Sequence, residues 1–206
     1  MNNKKIFNGL SSAAYTDKRF WTKEAETVFE NNWVFVGYKH EFNNVGDVIP
    51  INISNKPILL VRNNKDDIVA FHNVCSHRCI KLVDQPKNFK HIITCPYHAW
   101  AYDLDGKLVA SPHFGGTNNH QPKNFKRNNH GLKSIRIKVW HDWIFININN
   151  NAPKFEKYAE PLIKQLKDIN LEKILPVATL DFGKINTNWK FLIENFIEPY
   201  HVQFVH

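Results

Sequence analysis

Four side chains that commonly ligate transition metals occur in two short, similarly built segments. Cys75 and His77 are separated by one residue, and Cys95 and His98 are separated by two. Together they offer two thiolates and two imidazoles. Sulfur ligands favour zinc, copper(I) or iron–sulfur clusters, and imidazole suits zinc or iron, so calcium and magnesium are poor candidates. The spacing therefore predicts a transition-metal site built from two loops.

The order of the ligands bears on which metal they bind. In Cys₂His₂ zinc fingers the cysteines usually come from one side of the site and the histidines from a helix on the other. Here each segment supplies one cysteine and one histidine. This order favours a [2Fe–2S] cluster in which one iron takes both cysteines and the other takes both histidines. A zinc-stabilised binding module and ordinary core residues are the alternatives.

The two segments, Cys-Ser-His-Arg from Cys75 and Cys-Pro-Tyr-His-Ala-Trp from Cys95, resemble the Rieske motif of ring-hydroxylating, non-haem iron oxygenases. Respiratory Rieske proteins are similar but carry an extra cysteine in each loop, and these two form a disulfide. Tyr97 stands at the second of those positions, so the resemblance favours the oxygenases. Cys79 stands where the oxygenases usually have glycine. We interpret it as a small loop residue, with a reactive thiol as the alternative.

The segment from Asn188 to the end of the sequence resembles the signature of the oxygenase catalytic domain, with Asn-Trp-Lys, then Glu-Asn, then Glu-Pro-Tyr-His and a final His. Two histidines five residues apart are weak evidence alone, but a Rieske motif upstream strengthens them. The resemblance implies that His201 and His206 bind a mononuclear Fe(II). It also implies that Glu198 links a Rieske histidine of one subunit to an iron-ligating histidine of the next. An ordinary solvated acid is the alternative for Glu198.

Two further residues of this segment, Asn195 and Tyr200, are expected to line or brace the iron pocket. The third iron ligand of the family, an Asp or Glu, lies well downstream, and we expect it to be absent from this chain. Glu194 and Glu198 are poor substitutes because they share one short segment with His201. We therefore expect a truncated, N-terminal portion of an oxygenase alpha (large) subunit.

The resemblance implies a Rieske-type mono- or dioxygenase that hydroxylates or demethylates a small organic substrate with O₂. Electrons would pass from NAD(P)H, through a reductase or ferredoxin, to the [2Fe–2S] cluster and then to the mononuclear iron. The full-length family forms head-to-tail homotrimers, so the same assembly is implied. A Rieske electron carrier without oxygenase activity is the alternative, although it would have no need for Glu198, His201 and His206.

Composition fits a globular protein, with 43% hydrophobic residues among 206, and the net charge of +8 raises the question of nucleic acid. Because the lysines are spread along the chain and no nucleic-acid-binding motif occurs, we expect no such partner. A basic face for an acidic electron donor, or simple solubility, accounts for the charge. We expect a cytoplasmic protein without a membrane segment, because no long apolar run or signal peptide is present and three cysteines cannot build a disulfide framework.

The elements expected to position these residues give a mixed α+β fold in three parts. Residues 1–32 form an N-terminal helical segment, with an amphipathic helix over Thr22–Asn31 and Thr22 as its N-cap. Residues 33–150 form an all-β Rieske domain with an Asp-Gly hairpin turn and a long polar loop at 111–130. Residues 151–206 begin a truncated α+β, helix-grip-like catalytic domain, with a helix over 155–168 and a strand over 177–185. Strands of the β domain are predicted at 33–38, 48–53, 58–62, 68–71, 135–139 and 143–148.

Overall fold

The computed structural model describes residues 9–178 and 180–205, and it combines helices with two antiparallel sheets, which confirms the mixed α+β class. Its contacts divide the chain into one unit formed by Glu26–Leu175 and a second formed by the segments on either side. The predicted domain boundaries near residues 33 and 150 stay predictions. Within the described ranges, no helix is both long and apolar enough to cross a membrane.

A seven-stranded antiparallel sheet makes up much of the Glu26–Leu175 unit. All six predicted strands are present, with ends that differ by at most two residues. One strand was not predicted, because it has only two residues, both of them polar. In sheet order the strands are β1 (Val34–Tyr38), β10 (Trp143–Asn147), β9 (Ser134–Trp140), β4 (Ile68–His72), β3 (Lys56–Arg62), β2 (Asp47–Ile53) and β5 (Lys87–Asn88).

The interior strand β3 is buried on both faces of this sheet. Leu59 and Val61 belong to one apolar cluster, while Ile58 and Leu60 belong to another. Successive side chains of a strand point to opposite faces, so these clusters lie on opposite sides of the sheet. The first cluster contains both predicted cysteine ligands, and the second contains the isoleucines of β9 and β10. The sheet therefore has the predicted metal site on one face only.

A smaller sheet of three strands carries the second predicted metal loop. Its strands are β6 (Ile92–Thr94), β7 (Ala101–Asp103) and β8 (Leu108–Ala110), and the loop is the connection from β6 to β7. The predicted Asp-Gly turn joins β7 to β8. Gly106 has a φ of +79°, and a Cβ there would lie 2.5 Å from the ring of Phe71. Only glycine meets both requirements without strain.

The N-terminal helix begins earlier than predicted. The helices there are α1 (Ala13–Thr16), α2 (Lys18–Glu24) and a π-helical turn (Ala25–Glu30). Asp17 caps α2, since its Oδ1 accepts a 2.8 Å hydrogen bond from the N–H of Arg19. The predicted N-cap Thr22 instead lies inside α2, where its hydroxyl donates to the carbonyl of Lys18. An Asp at a helix start is a stronger cap than Thr, which explains the difference.

The predicted helix over 155–168 is divided into α3 (Phe155–Tyr158) and α4 (Glu160–Leu166). Pro161 lies in the first turn of α4, where no N–H is needed, so the chain breaks before it. The predicted strand over 177–185 was wrong for the described residues, because Val177 and Phe182 are 99% and 81% exposed and no described strand pairs with them. Short 3₁₀ turns occupy Lys39–Glu41, Arg127–Asn129 and Leu171–Lys173.

Two further helices follow, α5 (Trp189–Ile197) and α6 (Val202–Val205), and α5 is held against the N-terminal helices of the same unit. The Nζ of Lys190 lies 2.6 and 2.8 Å from the two carboxylate oxygens of Glu24. The indole N–H of Trp189 donates to the same carboxylate at 3.0 Å. Tyr15 donates its hydroxyl proton to Glu194 at 2.6 Å. These contacts fix the helix that leads into the second predicted site.

The ion pair between the buried Lys190 and the largely buried Glu24 leads to a prediction about stability. Burial opposes the charge on Glu24, but hydrogen bonds from Lys190 and Trp189 outweigh it and lower the pKa of Glu24. We expect Glu24→Gln to lower the free energy of unfolding by about 3 kcal/mol at pH 7, because Lys190 keeps a buried charge without its partner. Urea unfolding monitored by tryptophan fluorescence measures this.

The pH dependence of the free energy of unfolding tests the same contact. Because the folded-state pKa of Glu24 is lowered, the stabilisation is present above the unfolded pKa, about 4.3, and is lost as pH falls through the folded value. Glu24→Gln should lack this component of acid destabilisation, whereas Glu26→Gln, at an exposed site, should behave like the parent. Equal losses in both variants would contradict the assignment.

Candidate metal centre

The two predicted metal loops share one backbone conformation. In each, the N–H of the cysteine donates to the carbonyl five residues later, at 2.8 Å from Cys75 and 2.7 Å from Cys95. In each, the carbonyl of the cysteine accepts from the N–H four residues later, at 2.9 and 3.1 Å. That fourth residue, Cys79 or Ala99, has a φ of 53° or 54°. The loops are therefore matched turns, each of which begins at its cysteine.

The four predicted cluster ligands meet as two pairs. Cys75 and Cys95 are both buried, and they contact each other through their thiols. Burial raises the pKa of the Cys75 thiol, and the neighbouring Cys95 raises it further. The rings of His77 and His98 face each other in an edge-on arrangement, with centroids 4.8 Å apart. Both cysteines thus lie on one side of the site and both histidines on the other.

One imidazole nitrogen of the site is suited to a partner that the protein itself does not supply. The Nδ1 of His98 is buried and has no hydrogen-bond partner among the described residues. A buried polar atom without a partner costs about 1–3 kcal/mol, so a native site normally supplies one. A metal ion is a suitable partner for a neutral imidazole nitrogen. Two thiols and two imidazoles in like pairs fit a [2Fe–2S] cluster, since each of its irons takes two protein ligands.

A single-ion site is a poorer fit. Nowhere in residues 9–178 and 180–205 do three His, Cys, Asp or Glu side chains converge on one point that could hold a metal ion. Structural zinc sites need four such ligands around one ion.

Aromatic side chains surround the histidine pair unequally. Trp100 stacks on His77 with centroids 4.7 Å apart, and Phe114 meets the same ring edge-on at 5.6 Å. Tyr97 packs on His98 at 3.8 Å but is itself 57% exposed. A cavity of about 500 Å³ opens beside both imidazoles. The histidine side of the site is therefore within reach of the surface, while the cysteines are enclosed.

A tyrosine that the sequence pattern did not single out contacts the buried thiol. Tyr102 is fully buried on β7, and its hydroxyl lies 3.1 Å from the Sγ of Cys75. The same hydroxyl accepts from the N–H of Ser76 at 3.1 Å. Burial raises the pKa of Tyr102 above its usual range, so the phenol keeps its proton at neutral pH. A tyrosine at a buried strand position needs a hydrogen-bond partner, and that signal was available in the sequence.

A buried asparagine holds the first loop. Asn73 directly precedes the loop and is fully buried, and its Nδ2 donates to the carbonyl of Val83 at 2.7 Å. Its Oδ1 accepts from the N–H groups of Leu82 and Val83 at 3.2 and 3.1 Å. The side chain thereby ties the start of the loop to the segment that follows it.

The second predicted site is only partly described. Asn195, Glu198 and His201 line one cavity of about 630 Å³. Glu198 accepts from the Nδ1 of His201 at 2.6 Å and from the N–H of Tyr200 at 2.6 Å, and the histidine lowers the pKa of Glu198. Tyr200 is not among the described residues that line the cavity and is 79% exposed. His206 lies outside the described residues.

The residue with a left-handed backbone conformation in each loop leads to a second prediction about stability. A residue with a Cβ at positive φ is strained by roughly 1 kcal/mol relative to glycine. We expect Cys79→Gly and Ala99→Gly each to raise the unfolding free energy by up to about 1 kcal/mol, less the greater entropy of glycine in the unfolded chain. Cys79→Ala removes the thiol but keeps the Cβ, so it should leave stability unchanged. Chemical denaturation measures the unfolding free energy of all three variants. A higher unfolding free energy in Cys79→Ala alone would refute the explanation by backbone strain.

Two family models match this chain. Residues 32–124 match the Rieske [2Fe-2S] domain, and residues 162–206 match the ring hydroxylating alpha subunit (catalytic domain). The first match includes all four cluster-ligand candidates, and the second includes the segment with Glu198 and His201.

Known proteins agree with these matches. The glycine betaine monooxygenase oxygenase subunit of Chromohalobacter salexigens is 31% identical over 97% of this chain and 43% of its own length. The carnitine monooxygenase oxygenase subunit of Escherichia coli is 33% identical over 91% of this chain and 49% of its own. The chain thus spans about half the length of the curated relatives it matches.

A solved structure is also similar. A quaternary ammonium Rieske monooxygenase in complex with gamma-butyrobetaine superimposes with a TM-score of 0.79 and 27% identity, covering 94% of this chain and 55% of that one. Sequence motifs, paired ligands, family models and fold thus lead to one assignment. The chain belongs to the Rieske non-haem iron oxygenases and corresponds to part of their alpha subunit.

Proposed function

We propose that this chain holds a [2Fe–2S] cluster on Cys75, Cys95, His77 and His98 and takes part in O₂-dependent oxidation of a small organic substrate. The pairing of thiols and imidazoles across two matched loops, with the Nδ1 of His98 buried and unpartnered, is the observation that carries the proposal. When bound, the cluster supplies one-electron transfer and a mononuclear non-haem iron supplies O₂ activation.

The chain's own residues prepare the cluster site in three ways. The two cysteines are enclosed by the apolar core, which excludes water from the sulfur side. The hydroxyl of Tyr102 lies 3.1 Å from the Sγ of Cys75 and would donate its proton to that sulfur once Cys75 is a cluster-ligating thiolate. Trp100 holds the ring of His77 in one plane by stacking on it.

At the second site, we propose that His201 and His206 hold the mononuclear iron and that Glu198 orients His201. A carboxylate that accepts the Nδ1–H of a histidine fixes the tautomer in which Nε2 carries the lone pair that can ligate a metal. The 2.6 Å contact between Glu198 and His201 supports this role. We further propose Glu198 as the bridge for electron transfer between subunits, with Asn195 lining the pocket and Tyr200 bracing it.

The partners follow from the family. We propose hydroxylation or demethylation as the reaction, because relatives carry the names glycine betaine monooxygenase and carnitine monooxygenase. Electrons would come from NAD(P)H through a reductase or ferredoxin, and the subunits of the whole protein would form a trimer. We place the protein in the cytoplasm, where reduced cysteines suit a cluster site.

The decisive experiment counts metal and sulfide on anaerobically purified protein and records the electron paramagnetic resonance spectrum after reduction with dithionite. We expect a Rieske-type signal with two irons and two sulfides per chain from the cluster loops. His98→Ala should abolish the signal, because it removes a cluster ligand. His201→Ala should leave the signal intact, because His201 belongs to another site. Zinc in place of iron, or loss of the signal in both variants, would overturn the proposal.

The contact between Tyr102 and Cys75 predicts a change in reduction potential. A hydrogen bond to sulfur stabilises the more negative, reduced state, so Tyr102→Phe should lower the midpoint potential. A charge-assisted hydrogen bond of roughly 1.4 kcal/mol corresponds to about 59 mV for a one-electron couple. Tyr97→Phe is the matched control, because its phenol forms no hydrogen bond among the described residues. Potentiometric titration compares the variants, and an unchanged midpoint in Tyr102→Phe would contradict the role.

A further inference from the structure

A hydroxyl in the first metal loop connects the long 111–130 loop to the sulfur side of the site. Ser76 follows Cys75 directly, and its Oγ donates a hydrogen bond to the backbone carbonyl of His130. The same Oγ lies 3.0 Å from the hydroxyl of Tyr102, which in turn lies 3.1 Å from the Sγ of Cys75. These four groups form one continuous chain of contacts from the buried sulfur to the end of the 111–130 loop.

The carbonyl at the far end of this chain belongs to an anchored piece of backbone. The N–H of His130 donates to the carbonyl of Arg127 at 2.9 Å, which closes a short 3₁₀ turn. The ring of His130 stacks on Phe125 with centroids 4.6 Å apart. Two residues later, the N–H of Leu132 donates to the carbonyl of Gly106 at 2.7 Å. The backbone at His130 is therefore held on both sides.

The number of available protons sets the direction of each hydrogen bond in the chain. A serine or tyrosine hydroxyl has one proton to donate and two lone pairs that accept, whereas a carbonyl can only accept. The hydroxyl proton of Ser76 goes to the carbonyl of His130. The Oγ of Ser76 is then left as an acceptor in its contact with Tyr102. The tyrosine hydroxyl is therefore the donor between these two side chains.

The sulfur of Cys75 needs the same tyrosine proton. A cysteine that ligates iron is a thiolate, so its Sγ accepts and does not donate. The Sγ of Cys75 and the Oγ of Ser76 are then two acceptors, at 3.1 and 3.0 Å, for the single proton of Tyr102. Because hydrogen bonds weaken as they depart from linearity, a proton shared between two directions bonds less strongly to the sulfur.

A third contact keeps the tyrosine oxygen within reach of both acceptors. The backbone N–H of Ser76 donates to the hydroxyl oxygen of Tyr102 at 3.1 Å, and Tyr102 is fully buried. This contact depends on the backbone of the first metal loop and not on the serine side chain. Removal of the serine hydroxyl alone therefore takes away one acceptor and leaves the phenol beside the sulfur of Cys75.

We propose that Ser76 is a positioning residue, which weakens the hydrogen bond from Tyr102 to the Sγ of Cys75 and thereby lowers the reduction potential of the cluster. The inference rests on the proposed function of the cluster loops. A weaker hydrogen bond to sulfur gives less stabilisation to the more negative, reduced state. The carbonyl of His130 maintains the effect, because it takes the serine proton and keeps the serine oxygen an acceptor.

The test compares midpoint potentials of anaerobically purified parent and variant chains in a potentiometric titration with paramagnetic resonance as the readout. Dithionite supplies one electron per cluster, and no covalent bond forms or breaks. We expect Ser76→Ala to shift the reduction equilibrium about threefold toward the reduced state, which is a midpoint about 28 mV higher for a one-electron couple. Ser76→Thr keeps a hydroxyl and should keep the parent midpoint.

Two controls separate this role from a merely structural one. Ser111→Ala removes another serine hydroxyl that donates to a carbonyl of the same loop, that of His120 at 2.9 Å. Among the described residues, the hydroxyl of Ser111 forms no hydrogen bond with Tyr102 or Cys75, so this variant should leave the midpoint unchanged. Combined with Tyr102→Phe, which has no proton to share, Ser76→Ala should add no further shift.

The outcomes distinguish the inference from the proposed function. Absence of a cluster signal in the parent chain overturns the proposed function. With the parent signal intact, an unchanged or lower midpoint in Ser76→Ala overturns the role of Ser76, and so does loss of the signal in that variant, because the hydroxyl would then be needed to build the site. An equal rise in Ser111→Ala, or a full rise in the Tyr102→Phe background, overturns it as well, because the effect would not pass through the tyrosine proton.

Discussion

The metal loops bury thiol and imidazole groups for which the protein alone does not provide every bonding partner. The structure around the loops depends on this burial. Cys75 and Cys95 lie inside the larger of the apolar clusters, and the Nδ1 of His98 is buried without a partner. The small sheet beside them has strands of only three residues, which are too short to be stable by themselves. Metal binding to such groups contributes directly to folding. We infer that the cluster-loop region is stabilised by the cofactor it holds.

The large sheet supplies the rigid support for that region. β4 leads into the first loop, and the alternation of β3 side chains places the cysteine-containing cluster on one face. Asn73 then fixes the start of the loop through three hydrogen bonds made by one buried amide. The regular strand pairing ends at β4. Beyond it, side-chain hydrogen bonds hold the segment that carries the ligands.

Sequence patterns predicted the parts of the fold that repeat and missed those that depend on a single contact. The six longer strands alternate or are β-branched, and the cysteine and histidine spacing favours one kind of cluster. β5 has two polar residues and exists because β2 offers an edge to pair with. The role of Tyr102 depends on a hydroxyl 27 residues away in sequence from Cys75. The strand expected over 177–185 has the right composition, but no described strand lies beside it.

Glu198 shows how one carboxylate can serve two proposed roles. Its oxygens accept hydrogen bonds from the Nδ1 of His201, from the N–H of Tyr200 and from the N–H of His201. An ionised carboxylate offers about four lone-pair sites, so one remains. The side chain is 45% exposed. An imidazole N–H from another subunit could therefore be accepted without loss of the contact that orients His201, which is what a bridge between two metal sites requires.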